Sequence, residues 1–344
     1  MGWPGGFGFA KTARPLLKLP APREGAGAGG GGPRRNPVSE SDRSMSQIAG
    51  STTREAAQAH APPRRFSWTW LGVVPFFLFA TAFLLLPAAS LVIGSFQDAQ
   101  GDFTLANIAG LFEPFILNAY WLSIQISLVT ALGGALFGFL LAYAAIMGGL
   151  PQWVRSALLT FSGVASNFAG VPLAFAFIAT LGQRGIITLL LDNLFGWKIY
   201  QNGFTIYSFV GLSIVYMYFQ FPLMILIIAP ALDGLKREWR EASENLGATS
   251  WEYWRYVALP ILWPSLLGTT ILLFGNAFGA YATAYALTGG LFNLVTILIG
   301  AQISGDVLHN PGLGNALALG MVVIMALSIA GYTLLQRRTA RWLR

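Results

Sequence analysis

The residues able to do chemistry inside the apolar parts of this chain are all uncharged. Ser162 with Ser166, Gly163 with Asn167, Asn167 with Gly170, Tyr216 with Gln220, and Tyr281 with Tyr285 stand three or four apart, with Asn276 nearby. That spacing puts each pair on one helix face, so hydroxyls and amides form short polar ladders suited to lining a path for a polar solute. The same residue types also serve as glue between helices in lipid, where small and hydroxylated side chains let helices approach and hydrogen-bond. For any one residue glue is the simpler reading; for the set, path lining weighs about equally. The apolar windows hold no Asp, Glu, Lys or Arg, groups that mark proton relays and cost about 2.5–3.5 kcal/mol at a helix centre. Energy for uphill movement therefore enters elsewhere, with sodium coupling through carbonyls and hydroxyls left open.

Enzymatic chemistry finds no footing. No G-x-x-x-x-G-K-[ST] occurs, and Lys11, Lys18, Lys198 and Lys236 all lack the preceding Gly of a phosphate-cradling loop. The chain is therefore not itself an ATPase. H-E-x-x-H and G-x-S-x-G are absent. His60 and His309 are far apart and outside the apolar windows, and the absence of cysteine excludes disulfides and thiol chemistry. We expect no metal and no cofactor in this chain.

These residues must be positioned by membrane helices. The chain has 344 residues, 55% hydrophobic and 10% charged, with mean hydropathy +0.59, too apolar for an ordinary soluble domain. Six windows free of charge, about 70–94, 119–147, 156–182, 204–231, 261–288 and 314–336, each suffice to span, since a crossing needs roughly 20 apolar residues. The first could be read as a cleaved signal, with Ala88 and Ala89 as small residues, but its length favours a retained anchor. Gly134 with Gly138 and Gly275 with Gly279 fit close helix packing; Pro172, Pro222 and Pro264 are sites of kinks or breaks. Fold class: an all-α membrane protein, a six-helix bundle.

The net charge of +7 is explained by topology rather than by nucleic acid. Of the 21 basic residues only Arg184 and Lys198 fall in segments 95–118, 183–203 and 289–313; the rest precede the first window, follow the last, or sit in the intervening loops. The positive-inside rule then places both termini in the cytoplasm. The three outer segments carry Asp98, Asp102, Glu113, Asp192 and Asp306, and their apolar stretches Ile186 to Leu191 and Leu294 to Ile299 suit short interfacial or re-entrant helices. Residues 1–65 read as a disordered cytoplasmic tail, rich in Gly and Pro, with Met45 an alternative start; residues 66–344 form the transmembrane domain.

Charge gathers at one place between apolar windows. Lys236, Arg237, Glu238, Arg240, Glu241, Glu244, Glu252 and Arg255 crowd loop 232–260. The pattern is two short helices broken at Gly247, with Thr249 and Glu252 matching the T-x-x-E capping box that starts the second. This is a helical elbow outside the bilayer.

Glu241-Ala242, Leu246-Gly247-Ala248, Trp254, and Val257 through Leu259-Pro260 to Pro264 resemble the EAA motif of permease subunits of type I ATP-binding-cassette importers. Ser243 stands where alanine is usual and Trp254 where phenylalanine is usual. The resemblance implies that the elbow is a coupling helix seated in a cleft of a cytoplasmic ATPase, with Glu241, Ala242, Leu246, Gly247 and Ala248 shaping the contact. It implies as partners two ATP-binding subunits that use the ATP, a second permease subunit, identical or related, and an extracytoplasmic solute-binding protein, all at a bacterial cytoplasmic (inner) membrane. Ser166 to Leu173 looks most like polyamine and related small-solute permeases. The alternative from another class is a self-sufficient secondary transporter or channel, in which the elbow is an ordinary amphipathic loop.

Overall fold

The computed structural model describes residues 72–304 and 309–340, with side chains through residue 337. The expected tail, Met45, His60 and Asp306 lie outside the described residues. Those described form helices α1 (Val74–Ser95), α2 (Ala106–Gly110), α3 (Pro114–Met147), α4 (Gln152–Asn167), α5 (Val171–Leu181), α6 (Ile186–Phe195), α7 (Phe209–Asp233), α8 (Arg237–Asn245), α9 (Ser250–Phe278), α10 (Ala282–Thr288), α11 (Val295–Ser304) and α12 (Pro311–Ala340). Among them six stretches are long and apolar enough to cross a membrane, as the composition requires. The protein is an all-α membrane bundle.

Proline decides several local choices. Pro114 starts α3 behind an extended Glu113 (ψ 137°), where its missing N–H costs nothing. Pro87 and Pro260 each follow a widened π turn, Thr81–Leu85 in α1 and Trp254–Ala258 in α9. There the amides of Leu86 and Leu259 reach back five residues, to Thr81 O and Trp254 O, and the helix goes on through a residue that cannot donate. Pro222 and Pro264 lie inside α7 and α9, whereas Pro172 begins α5.

The core is the α3–α7–α9 contact. Gly134 and Gly138 lie against α7 so closely that a Cβ would sit 2.6 Å from Gln220 Cβ and 2.6 Å from Met224 Cβ. Small residues allow this approach, and Ile126, Leu212, Val215, Met224, Ile228, Leu262 and Leu273 fill the space around it. The second expected glycine pair serves only in part: a Cβ on Gly275 would meet Met325 of α12, while Gly279 ends α9. Outside the core, α12 packs on α9 and α1 packs on α12. In α1 only Ser95 is buried.

Two expected spans are corrected. The window 156–182 is two helices, because Asn167 ends α4 and Gly170, at φ +75° and ψ −147°, turns the chain before α5 starts. The extended ψ angles at Gly182 (172°) and Gly185 (154°) then set α6 apart from α5. The window 261–288 is also two helices: α9 stops at Phe278 and α10 starts at Ala282, with Gly279, Ala280 and Tyr281 between. In the other direction α9 begins at Ser250, eleven residues before the apolar window, so the second helix of the elbow is the first part of a crossing. The expected short helices in the connecting segments exist as α6 and α11. Tyr200 fastens the segment after α6, its hydroxyl donating to Leu181 O at 2.8 Å; burial pushes that phenol's pKa up.

Candidate functional site

The elbow is built from two caps placed back to back. Glu238 lies in the first turn of α8, where a carboxylate suits the helix dipole, and Arg237–Glu241 (3.0 Å) and Arg240–Glu244 (2.9 Å) are exposed pairs one turn apart. Such pairs contribute only about 0.3–0.5 kcal/mol each, so the shape comes from the ends. Gly247 takes φ +83°; its amide donates to Glu244 O (2.9 Å) and the Ala248 amide to Ser243 O (3.0 Å). This is the double closure of a Schellman motif, which needs a residue free to enter the left-handed region. Thr249 then opens α9 with a complete capping box: its Oγ1 accepts from Glu252 N (3.3 Å), and Glu252 Oε2 accepts from Thr249 N (2.7 Å). The expected break and box are both present.

The elbow keeps its surface bare. No residue of α8 is buried; Glu241, Ala242 and Gly247 are exposed, Ala248 is half-buried, and Leu246 is 89% exposed. Nothing lies within 4 Å of where a Gly247 Cβ would sit. Trp251 is 70% exposed, so apolar and charged side chains share this face.

The second region lies where the two interrupted spans meet. A hollow of about 390 Å³ is lined by Ser166 and Gly170 at the α4–α5 joint, Phe219 of α7, Asn276 of α9, and Tyr281 and Thr283 at the α9–α10 joint. The joints are tied together: Gly170 N donates to Thr283 Oγ1 (2.7 Å), and Tyr216 Oη donates to Ala280 O (2.7 Å). Irregular backbone at membrane depth is tolerated only where protein covers it or a wet cavity lies beside it, and broken helices are a recurrent way of presenting backbone groups to a solute. The lining has hydroxyl, amide and aromatic groups and no charge. Much of its polar surface is open on this chain, since Asn276 is exposed and Tyr281 is 40% exposed.

The expected polar residues therefore separate. Ser166, Asn276 and Tyr281 come together in the hollow. Asn167 closes the end of α4, its Nδ2 donating to Gly163 O (2.9 Å), and Tyr285 stacks on Tyr281 (5.4 Å, 21°). Tyr216 and Gln220 hold helices together, Gln220 Nε2 donating to Leu273 O (2.8 Å) from a fully buried position. Ser162 lies in an apolar groove between α4 and α7 beside Phe161 and Pro222, its Oγ without a partner. Residue spacing does not single out Thr283 and the Gly170 amide as a pair. No local signal marks the break at Gly279-Ala280-Tyr281, which lies inside what reads as one apolar window. Among the described residues no group of His, Cys, Asp or Glu could hold a metal.

Residues 134–342 match the family described as "Binding-protein-dependent transport system inner membrane component". The chain is 30% identical over 184 residues to a probable sulfate transport system permease protein of Chlorella vulgaris, covering 52% of this chain and 64% of that relative. It is 26% identical over 260 residues to the spermidine/putrescine transport system permease protein PotB of Haemophilus influenzae, covering 73% and 87%, and 24% identical over 228 residues to the sulfate transport system permease protein CysW of Escherichia coli K12, covering 66% and 74%. In fold it is similar to a chain of a bacterial ABC transporter involved in alginate import, with TM-score 0.62, 14% identity, and coverage of 85% of this chain and 99% of that one. An elbow with the residues of the EAA motif, six apolar spans and a family match over most of the bundle lead to one assignment: the chain belongs to the binding-protein-dependent transport inner membrane components, the permease subunits of ATP-binding-cassette importers.

Proposed function

We propose that this permease forms half of a path for a small polar solute at the hollow between its two broken spans, and that its elbow seats in a separate ATPase. The observation that carries the path is the meeting of the α4–α5 and α9–α10 joints at uncharged polar groups open on one face of the chain. Exposed Asn167, Asn276, Tyr281 and Tyr285 are poor neighbours for lipid; a second permease half, identical or related, covers them and completes the path. The bare elbow fits a protein partner, and two ATP-binding subunits there supply the energy that the uncharged spans do not. A solute-binding protein delivers to the opposite end. The basic-residue bias supports a cytoplasmic elbow and cytoplasmic termini in a bacterial inner membrane. A cysteine at Ser250 should then be labelled only from the cytoplasmic side and one at Asn293 only from the outside.

Ser166 to Leu173 and the long match to a spermidine/putrescine permease support a polyamine-like solute. A second reading, an oxyanion, is favoured by the sulfate permeases among the relatives. The uncharged lining accommodates either sign. Uptake of labelled spermidine and sulfate into vesicles holding the permease with its ATPase and binding protein decides between them. Uptake driven by an ion gradient and indifferent to ATP would overturn the whole reading.

A further inference from the structure

We propose that Trp254 is a positioning residue that keys the elbow to α3, so that elbow movement reaches the α3–α7 core directly rather than only along α9. The proposal rests on the ATPase-docking role proposed above. Its first ground is a weak point in the obvious route. Between the elbow and the body of α9 lies the π turn Trp254–Ala258, followed by Pro260, and a widened turn beside a proline transmits bending poorly because its hydrogen-bond ladder is shifted and then interrupted.

The second ground is what Trp254 touches. Its indole meets the Tyr143 ring edge to face, 4.9 Å between centroids at 90°, and lies 6.5 Å from the Phe139 ring, also edge-on. Both are on α3, one turn apart. On its own helix Tyr253, 3% exposed, stands 6.4 Å away. Edge-to-face pairs at these separations prefer a defined geometry, so the cluster resists rotation as well as separation. α8 packs against the Ser250–Tyr253 turn of α9, which carries Tyr253 and so brings the exposed helix of the elbow to the same cluster. Because Trp254 is the first residue of that π turn, at its elbow end, displacement of α8 is passed to α3 before the rest of the turn can absorb it. α3 in turn carries Gly134 and Gly138 against α7, and α7 supplies Phe219 to the hollow.

The test uses the complete complex in vesicles, with ATPase and binding protein, and reads three quantities: ATPase bound, ATP hydrolysed, and solute moved per ATP. In Trp254→Leu we expect bound ATPase and hydrolysis to persist while solute per ATP falls about tenfold or more, equivalent to about 1.4 kcal/mol of coupling. Trp254→Phe, which keeps a ring, retains most of the ratio. Tyr143→Leu reproduces the loss on the other side of the contact, and the double variant is no worse than the poorer single, since both remove one interaction. A ratio within about twofold of the parent in Trp254→Leu and Tyr143→Leu overturns the proposal, as does multiplication of the two losses in the double variant. Loss of bound ATPase with an unchanged ratio also overturns it, by making Trp254 part of the docking surface. If Trp254→Leu does not accumulate in the membrane, Trp254→Phe and Tyr143→Leu decide by the same ratio. Failure of the underlying reading shows differently, as parent uptake that needs no ATP.

Discussion

The elbow and the hollow are ordered by opposite means. Every bond that shapes the elbow is local: Ala248 to Ser243, Gly247 to Glu244, Thr249 to Glu252, and α8 buries no residue. The hollow depends on bonds between residues 113 apart, Gly170 to Thr283, and 64 apart, Tyr216 to Ala280. One region is shaped by bonds between near neighbours in the chain and leaves its surface free; the other exists only when four helices have packed. Lesions in the two should therefore fail differently, the elbow losing transport with the protein still in the membrane and the bundle losing the protein.

The largest effect is expected where the bundle is tightest. In Gly138→Val the new side chain meets Met224 Cβ at 2.6 Å and Phe221 O at 2.9 Å. Backbone cannot move aside as a flexible side chain can, so the cost lies at or above the upper end of the roughly 1–3 kcal/mol of overpacking. Membrane abundance on immunoblots should collapse; normal abundance would show that α3 and α7 do not meet as described.

Gly247→Asp should be nearly as damaging to uptake yet harmless to abundance. A side chain at φ +83° costs about 1–2 kcal/mol in a segment proposed to lie outside the bilayer, and it places charge and bulk where the proposed ATPase would fit. Glu241→Lys, which replaces the Arg237 pair by repulsion, should act in the same direction. ATP-dependent uptake and immunoblots on the same membranes check both, and loss of the protein from the membrane would break the contrast drawn above.

A smaller effect is expected at the joint. Thr283→Val removes the partner of the half-buried Gly170 amide, at a cost toward the lower end of the about 1–3 kcal/mol of an unpaired donor. The melting temperature in detergent should fall, whereas Thr283→Ser should stay close to the parent. Equal melting of both variants would mean that the two breaks are not held by this bond.

This difference in ordering also decides what could be read from residue order. The cap residues of the elbow act within five positions of one another, so Gly247 and the Thr249–Glu252 pair were legible. The spans were legible as apolar length, and Gly134 with Gly138 as a packing pair. The breaks at Gly170 and Gly279–Tyr281 were not, because apolar residues on both sides hide a change of direction that only tertiary bonds stabilise. For the same reason Gln220 and Ser166 look alike in sequence, although one holds α9 and the other faces the hollow. Nothing local tells a hydroxyl or amide which neighbour it will meet.

The central claim, that the elbow is the surface that meets the ATPase, is tested most directly by crosslinking from Leu246. The chain has no cysteine, so Leu246→Cys carries a single reactive thiol at a side chain 89% exposed, and Asn293→Cys supplies a control on the segment between α10 and α11. In membranes containing the ATPase, a short thiol-to-amine crosslinker should join Leu246→Cys to the ATPase and leave Asn293→Cys unjoined. No adduct at position 246 in a complex that still imports with ATP, or an equal adduct from position 293, would contradict the account.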